Sequence, residues 1–244
     1  MKLKTVAIVL MLTLGVVGCG KSTDTSLYKE NTTEQTESVE DTESVEAEEK
    51  SEGIVAKGTI TKEDVMNAPE SPAEDFTYEK SNEGEVYIED YVGDDDIIVI
   101  PGKIDGGDVI SVSQGMFEED RITARAVRFP DSVEFIRRYT FYDNKNIEIV
   151  ILGSGVKEIK DYAFWKASNL RELILPEGLE KIGLAAMDLT AIETLKVPSS
   201  VVDLGDMAIT EMTVIGEPGS AIEEYAEEAY KVEFQAKSED TETE

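Results

Sequence analysis

Two features of the sequence carry side chains that could do chemistry: a lone cysteine, Cys19, and three consecutive aspartates at 94–96. A cysteine thiolate is a nucleophile that forms thioethers and disulfides, whereas clustered carboxylates supply the oxygen ligands that calcium prefers. Because there is one cysteine, an intramolecular disulfide is excluded. The aspartates lack the spacing of a D-x-D-x-D-G calcium loop, so a polar turn before a strand at 97–100 is favoured over a metal site.

The chain contains no histidine, which removes the commonest general base and the commonest zinc ligand. Catalytic triads that depend on histidine are therefore excluded. A serine–lysine pair stays formally open, but no sequence context singles one out. The segment Gly153-Ser154-Gly155 lacks the G-x-S-x-G pattern of a nucleophile elbow. We therefore expect a non-enzymatic protein with no catalytic residues, no metal and no cofactor.

Charge restricts the partners further. Lysine and arginine total 23 against 53 aspartates and glutamates, which gives a formal net charge of -30 over 244 residues. Nucleic-acid binding depends on cations that neutralise phosphates, so nucleic acid is excluded as an expected partner. The same excess of negative charge favours solubility and low nonspecific association.

The first residues predict export. Lys2 and Lys4 precede an apolar run at 6–14 that is too short to span a bilayer, so residues 1–18 read as a signal peptide. The following V-V-G-C sequence, which ends at Cys19, resembles the bacterial lipobox. That resemblance implies cleavage before Cys19, a diacylglyceryl thioether on its sulfur and acyl chains such as palmitate. The alternative is an ordinary cleaved signal with a chance cysteine.

A lipid anchor would place the mature protein on the extracytoplasmic face of the cell membrane. Residues 19–75 are acidic and poor in large apolar side chains, which predicts a disordered tether. Weak calcium binding by this run is the alternative to a solvated spacer. Within it, Thr61 to Asp64 predict the cap of one short helix before Pro69. Residues 237–244 predict a disordered acidic tail.

Between 76 and 236 the sequence repeats itself with a period of about 23 residues. The columns of this repeat are Ile136, Ile159 and Ile182; Val133, Val156 and Leu179; and Phe141, Phe164 and Met187. Alternation around Leu173 predicts a short strand in each unit, and proline such as Pro176 ends it. The residues 162–164 predict a helical turn that closes the coil. The period predicts a leucine-rich repeat solenoid of about five coils, mainly β with short helical turns.

The unit Ile-Pro-x-x-Val-x-x-Ile-x-x-x-Ala-Phe, followed by Asn-Leu, resembles the BspA-type leucine-rich repeat of bacterial surface proteins. Residues 157–164 match it best, while Gly153, Met187 and Ala208 depart from it. The resemblance implies surface adhesion through protein or glycan binding, but the repeats specify architecture and no particular ligand.

Projection of the strands predicts an outward-facing surface that partners could contact. Its central row is predicted to be Val99, Arg128, Ile151, Ile174, Lys196 and Val214, and its second row Ile97, Ala126, Ile149, Glu172, Thr194 and Met212. Exposed isoleucines would form an apolar patch of the kind that marks partner contacts. The favoured alternative is that these residues simply suit a strand and that a flanking segment covers them.

Two functions follow from these expectations. The first is a lipid-anchored, monomeric surface protein whose strand face, at Val99, Arg128, Ile149, Ile151, Ile174 and Lys196, binds an unknown surface protein or glycan. The alternative is a structural or shielding envelope lipoprotein without a specific ligand.

Replacing Cys19 with alanine is expected to release the protein from membranes, because alanine has no thiol to carry the lipid. Two or three acyl chains would otherwise bind the bilayer far more firmly than one. Partitioning of the full chain between the detergent-rich and aqueous phases of a nonionic detergent measures this. An unchanged distribution after Cys19→Ala would show that the cysteine carries no anchor.

Overall fold

The computed structural model describes residues 58–119 and 121–238. They form a β-solenoid of about seven turns. In chain order the elements are α1 (Lys62–Asn67), a 3-10 helix (Ala73–Asp75), β1 (Phe76–Lys80), β2 (Val86–Tyr91), β3 (Ile97–Val99), β4 (Lys103–Ile104), β5 (Gly107–Val112), β6 (Ala126–Arg128), β7 (Phe135–Ile136), β8 (Ile149–Ile151), β9 (Glu158–Ile159), β10 (Glu172–Ile174), β11 (Lys181–Ile182), β12 (Thr194–Lys196), β13 (Asp203–Leu204), β14 (Thr213–Gly216), α2 (Ala221–Glu228) and β15 (Glu233–Ala236).

One side of the solenoid is a ladder of parallel three- and four-residue strands. Strands β3, β6, β8 and β10 pair in register and form one sheet, and β12, β14 and β15 form a second. The middle residue of each strand points inward, so Ile98, Val127, Val150 and Leu173 stack in one buried column. Because side chains alternate along a strand, the flanking residues point outward.

A second ladder is made of the two-residue strands β7, β9, β11 and β13. Ile159 pairs with both Ile136 and Ile182, and Ile182 pairs with Leu204. The predicted isoleucine column is therefore confirmed, and with it the repeat solenoid. The expected number of about five coils was too low. The strand starts at 97 and 126 lie 29 residues apart, and those at 213 and 233 lie 20 apart, so a search for a 23-residue period does not find the end coils.

The third side of each coil is a pair of turns rather than the predicted helical turn. Tyr139 and Tyr162 have left-handed backbones, with φ of 60° and 59°, and a second left-handed residue follows four positions later in each coil. This alternation directs peptide N–H groups toward the next coil instead of along a helix. Phe141 N donates to the carbonyl of Ala163 at 2.7 Å, and Phe164 N donates to that of Ala186 at 2.8 Å.

The interior beneath these turns holds a column of stacked aromatic rings. Phe117 and Phe141 lie 5.0 Å apart between ring centroids, as do Phe141 and Phe164, and all three are fully buried. Phe129 contacts the column edge-on. A stack that links three successive coils couples their stability, because repeat proteins depend on contacts between neighbours.

Replacing Phe141 with alanine should lower the free energy of unfolding by about 3–5 kcal/mol, because it leaves a cavity between two rings. Urea unfolding followed by circular dichroism and by fluorescence of Trp165, the only tryptophan, measures the loss. Phe135 is the matched control, since it is 40% exposed, and Phe135→Ala should cost less than about 1 kcal/mol. Equal losses for the two variants would contradict the stacked core.

Candidate functional site

The outward side of the first ladder, which we call the strand face, carries two residues from each coil. These residues are Ile97 and Val99, Ala126 and Arg128, Ile149 and Ile151, Glu172 and Ile174, Thr194 and Lys196, Thr213 and Ile215, and Glu233 and Gln235. The projected rows are confirmed as far as Lys196. The last members were wrong by one residue, because Lys196 pairs with Ile215, whereas Val214 and Met212 are buried. This coil is shorter than its predecessors, and extrapolation of the spacing missed that change.

The first half of the strand face is covered by the chain itself. Residues 58–72, the covering segment, lie across β6 and β8. Ile60 and Val65 of this segment form a buried apolar cluster with Ala126, Ile149 and Ile151. Ile149 and Ile151 are therefore buried under a flanking segment, as the favoured interpretation of the sequence predicted, and do not form an exposed patch.

A reciprocal cap starts the helix of the covering segment. The Thr61 hydroxyl accepts from the backbone N–H of Asp64 at 3.2 Å, and the Asp64 carboxylate accepts from the Thr61 N–H at 2.9 Å. The predicted cap is confirmed. Residues 58–75 had been assigned to a disordered tether, but two apolar side chains and a capped turn are enough to fold this part against the domain.

Three arginines of the solenoid fix the covering segment through its backbone. Arg125 Nη1 donates to the carbonyl of Gly58 at 2.9 Å, Arg171 Nη2 to that of Ile60 at 2.6 Å, and Arg128 Nη2 to that of Ala68 at 3.0 Å. Farther along, Ser71 N donates to the carbonyl of Val99 at 2.9 Å. The arginines thus bind the covering segment through its backbone carbonyls, which do not depend on the side chains at those positions.

Two of these arginines, Arg125 and Arg171, belong to a column of alternating charge at the position before each strand. The column runs Asp96, Arg125, Glu148 and Arg171, with Arg125 Nη2 2.7 Å from Asp96 and Nη1 3.2 Å from Glu148, and Arg171 3.2 Å from Glu148. Hydrogen bonding to Asp96 is the main reason why the pKa of Arg125 is raised. Sequence reasoning missed this column, although opposite charges at the repeat spacing were the available signal.

The second half of the strand face is open. A groove of about 560 Å³ lies over β10, β12, β14 and β15, at the place where the two sheets of the ladder meet without pairing. Its floor contains Ile174, Thr194, Lys196 and Ile215. Lys62 of the covering segment lines it as well. This volume falls in the range of small-ligand sites, about 300–1,000 Å³.

The groove is locally neutral in a strongly acidic chain. Its lining has three lysines and three glutamates: Lys62, Lys196, Lys237, Glu172, Glu177 and Glu217. Lys237 and Glu217 pair at 3.4 Å, and isoleucines supply an apolar floor. Apolar surface with a few placed polar groups is what protein and carbohydrate ligands require.

The predicted site residues therefore separate into two groups. Val99, Ile149 and Ile151 are buried, and Arg128 binds the covering segment. Ile174 and Lys196 line the groove. Cys19 lies outside the described residues.

Two of the three aspartates at 94–96 have internal partners. Asp95 accepts a hydrogen bond from the Tyr91 hydroxyl at 2.8 Å, and Asp96 pairs with Arg125. Within the described ranges, no group of three or more acidic, histidine or cysteine side chains is arranged to hold a metal ion. None of the helices described between 58 and 238 has the length and hydropathy to cross a bilayer.

Comparison with known proteins agrees with this architecture. Residues 103–215 match the family model described as BspA type leucine rich repeat region, in 6 copies. The crystal structure of a leucine rich repeat protein from T. pallidum is similar, with 26% sequence identity and a TM-score of 0.55, over 60% of this chain and 71% of that one. A leucine-rich repeat protein from Bacteroides ovatus has 22% identity and a TM-score of 0.52, over 59% of this chain and 40% of that one. No match was found among curated proteins.

Replacing Val65 with aspartate should detach the covering segment while the coils stay folded, because burying an unpaired carboxylate costs about 3 kcal/mol or more. Trypsin cleavage after Lys62 and hydrogen exchange at residues 149–151 should both increase. Met66→Asp is the matched control, since Met66 is 48% exposed and its change should leave both signals unaltered. Full protection in Val65→Asp would show that the apolar cluster does not hold the segment.

Proposed function

We propose that this chain, whose repeats match the BspA-type leucine-rich repeat, is a lipid-anchored cell-surface module that binds a protein or glycan without catalysis. Cys19 is the residue that carries the anchor. The groove over β10, β12 and β14 is the binding site. The part of the chain before residue 58 connects the two.

The open groove is the observation that carries this proposal. Residues 58–72 cover Ala126, Ile149 and Ile151 and leave the strand face from β10 onward open. The groove combines an isoleucine floor with equal numbers of lysines and glutamates, so its lining repels an anionic partner less than the chain as a whole would.

Substitutions in the groove test the proposal. Thr194 and Lys196 are exposed, so the double variant Thr194→Arg/Lys196→Glu should fold normally and bind its ligand at least about tenfold more weakly. The full chain is titrated against panels of purified bacterial and host surface proteins and of glycans, and saturable binding is measured. Urea midpoints of the variants verify the fold.

Lys157→Glu is the control for reversing the charge of a surface lysine, because Lys157 is exposed and lies outside the groove lining. It should bind as the parent does. Saturable binding that both variants retain would place the site elsewhere. The absence of any saturable ligand would favour the shielding alternative, for which the net charge of -30 is the supporting observation.

A further inference from the structure

Four aromatic side chains gather on the turn side of two consecutive coils, away from the strand face. Tyr139, Tyr142, Tyr162 and Trp165, which we call the aromatic array, are all partly exposed. Tyr139 stacks on Tyr162 with ring centroids 5.6 Å apart, and Tyr142 lies 5.3 Å from Trp165. Edge-to-face contacts of 5.5 Å and 5.7 Å connect the two pairs into one cluster.

The coil does not require aromatic residues at these positions. The positions equivalent to Tyr139 and Tyr162 hold Gly115, Ala185 and Met207 in other coils. Left-handed φ values near 60° disfavour bulky side chains, and Gly115 shows that the turn forms with glycine at a φ of 66°. The coil therefore requires the left-handed backbone at this position but not an aromatic side chain on it.

The array presents polar groups at its surface. Trp165 Nε1 donates to Asp188 Oδ2 at 3.1 Å, and Thr210 Oγ1 donates to Asp188 Oδ1 at 2.7 Å, so the indole is fixed in place. Among the described residues, none forms a hydrogen bond with the hydroxyls of Tyr139, Tyr142 or Tyr162. These hydroxyls remain available to a ligand.

The two turn segments that carry the array contain more cations than anions, although Asp188 also contacts Trp165. Residues 137–145 and 160–168 carry five lysines or arginines and two aspartates, whereas the whole chain has 23 against 53. Their charged side chains are Arg137, Arg138, Lys145, Lys160, Lys166, Asp143 and Asp161. Arg138 pairs with Asp161, Lys145 with Asp143 and Lys160 with Glu158.

Two of these cations are not neutralised by a carboxylate. Arg137 and Lys166 form no ion pair with the described residues. The Lys166 Nζ lies 4.3 Å from the centre of a Trp165 ring. Positive charge therefore lies directly against the aromatic surface.

We propose that the aromatic array binds an acidic glycan, with sugar rings packed on its aromatic side chains and a sugar carboxylate taken by Lys166. Tyrosine and tryptophan give rigid contact area with a polar end, which suits a ligand that has both C–H faces and hydroxyls. The ammonium group of a lysine supplies three N–H donors to a carboxylate. The site lies on a different side of the coil from the groove, so it adds a second specificity to the module.

Binding of the full chain, kept in detergent, to immobilised hyaluronan tests the proposal, with neutral dextran and polyglutamate as comparison probes. Saturable binding is expected to hyaluronan alone. Tyr139→Gly/Tyr162→Gly should weaken it at least about tenfold and should fold, because glycine relieves the left-handed backbone at both positions. The unfolding midpoint of this variant verifies that it does.

Lys166→Gln should also weaken binding, whereas Lys157→Gln should leave it unchanged, because neither lysine forms an ion pair with the described residues but Lys157 precedes β9 and lies outside the array. The groove variant Thr194→Arg/Lys196→Glu should bind hyaluronan as the parent does, which separates this site from the proposed function. The proposal is overturned by absent hyaluronan binding, by equal binding of polyglutamate, or by full binding in Tyr139→Gly/Tyr162→Gly.

Discussion

Each coil of this solenoid can bury its apolar side chains only against the next coil, and the rest of the structure depends on that constraint. The inward column of Ile98, Val127, Val150 and Leu173 closes one side of the core, and the stacked rings of Phe117, Phe141 and Phe164 close another. Both columns require the chain to return to the same place after each coil. The length of the coil is therefore fixed where packing is continuous, and it varies toward the ends.

The ladder of strands also has an outer side, and the residue types on that side decide whether it is covered or left open to solvent. Around β6 and β8 the outward residues include Ala126, Ile149 and Ile151, which cannot be left in water without cost, and the covering segment buries them. From β10 onward, Glu172, Thr194 and Lys196 need no cover, and the groove stays open. Which part of the strand face is covered therefore depends on which coils carry apolar outward residues.

Periodicity in the sequence was enough to predict the solenoid and the isoleucine column, because every coil repeats the same burial requirement. The end coils departed from that period, so their number and the place of Val214 could not be predicted. The covering segment was harder still to predict from the sequence. Residues 58–72 contribute only Ile60 and Val65 to the apolar cluster, and their three contacts with arginines use backbone carbonyls, which leave no trace in the sequence. The arginines that bind those carbonyls do leave a trace, as alternating charge at the repeat spacing.

The fold restricts the choice of residue to a different degree on each of the three sides of a coil. Strand residues must alternate, and the interior must be apolar and of constant volume. The turn residues need only a left-handed backbone and a hydrogen bond to the next coil, and Gly115, Tyr139, Ala185 and Met207 all satisfy that need. Because stability constrains the turns least, aromatic residues there are better explained by contact with a partner than by folding. In a chain of net charge -30, both proposed ligand sites, the groove on the strands and the aromatic array on the turns, lie where lysines and arginines offset the negative charge.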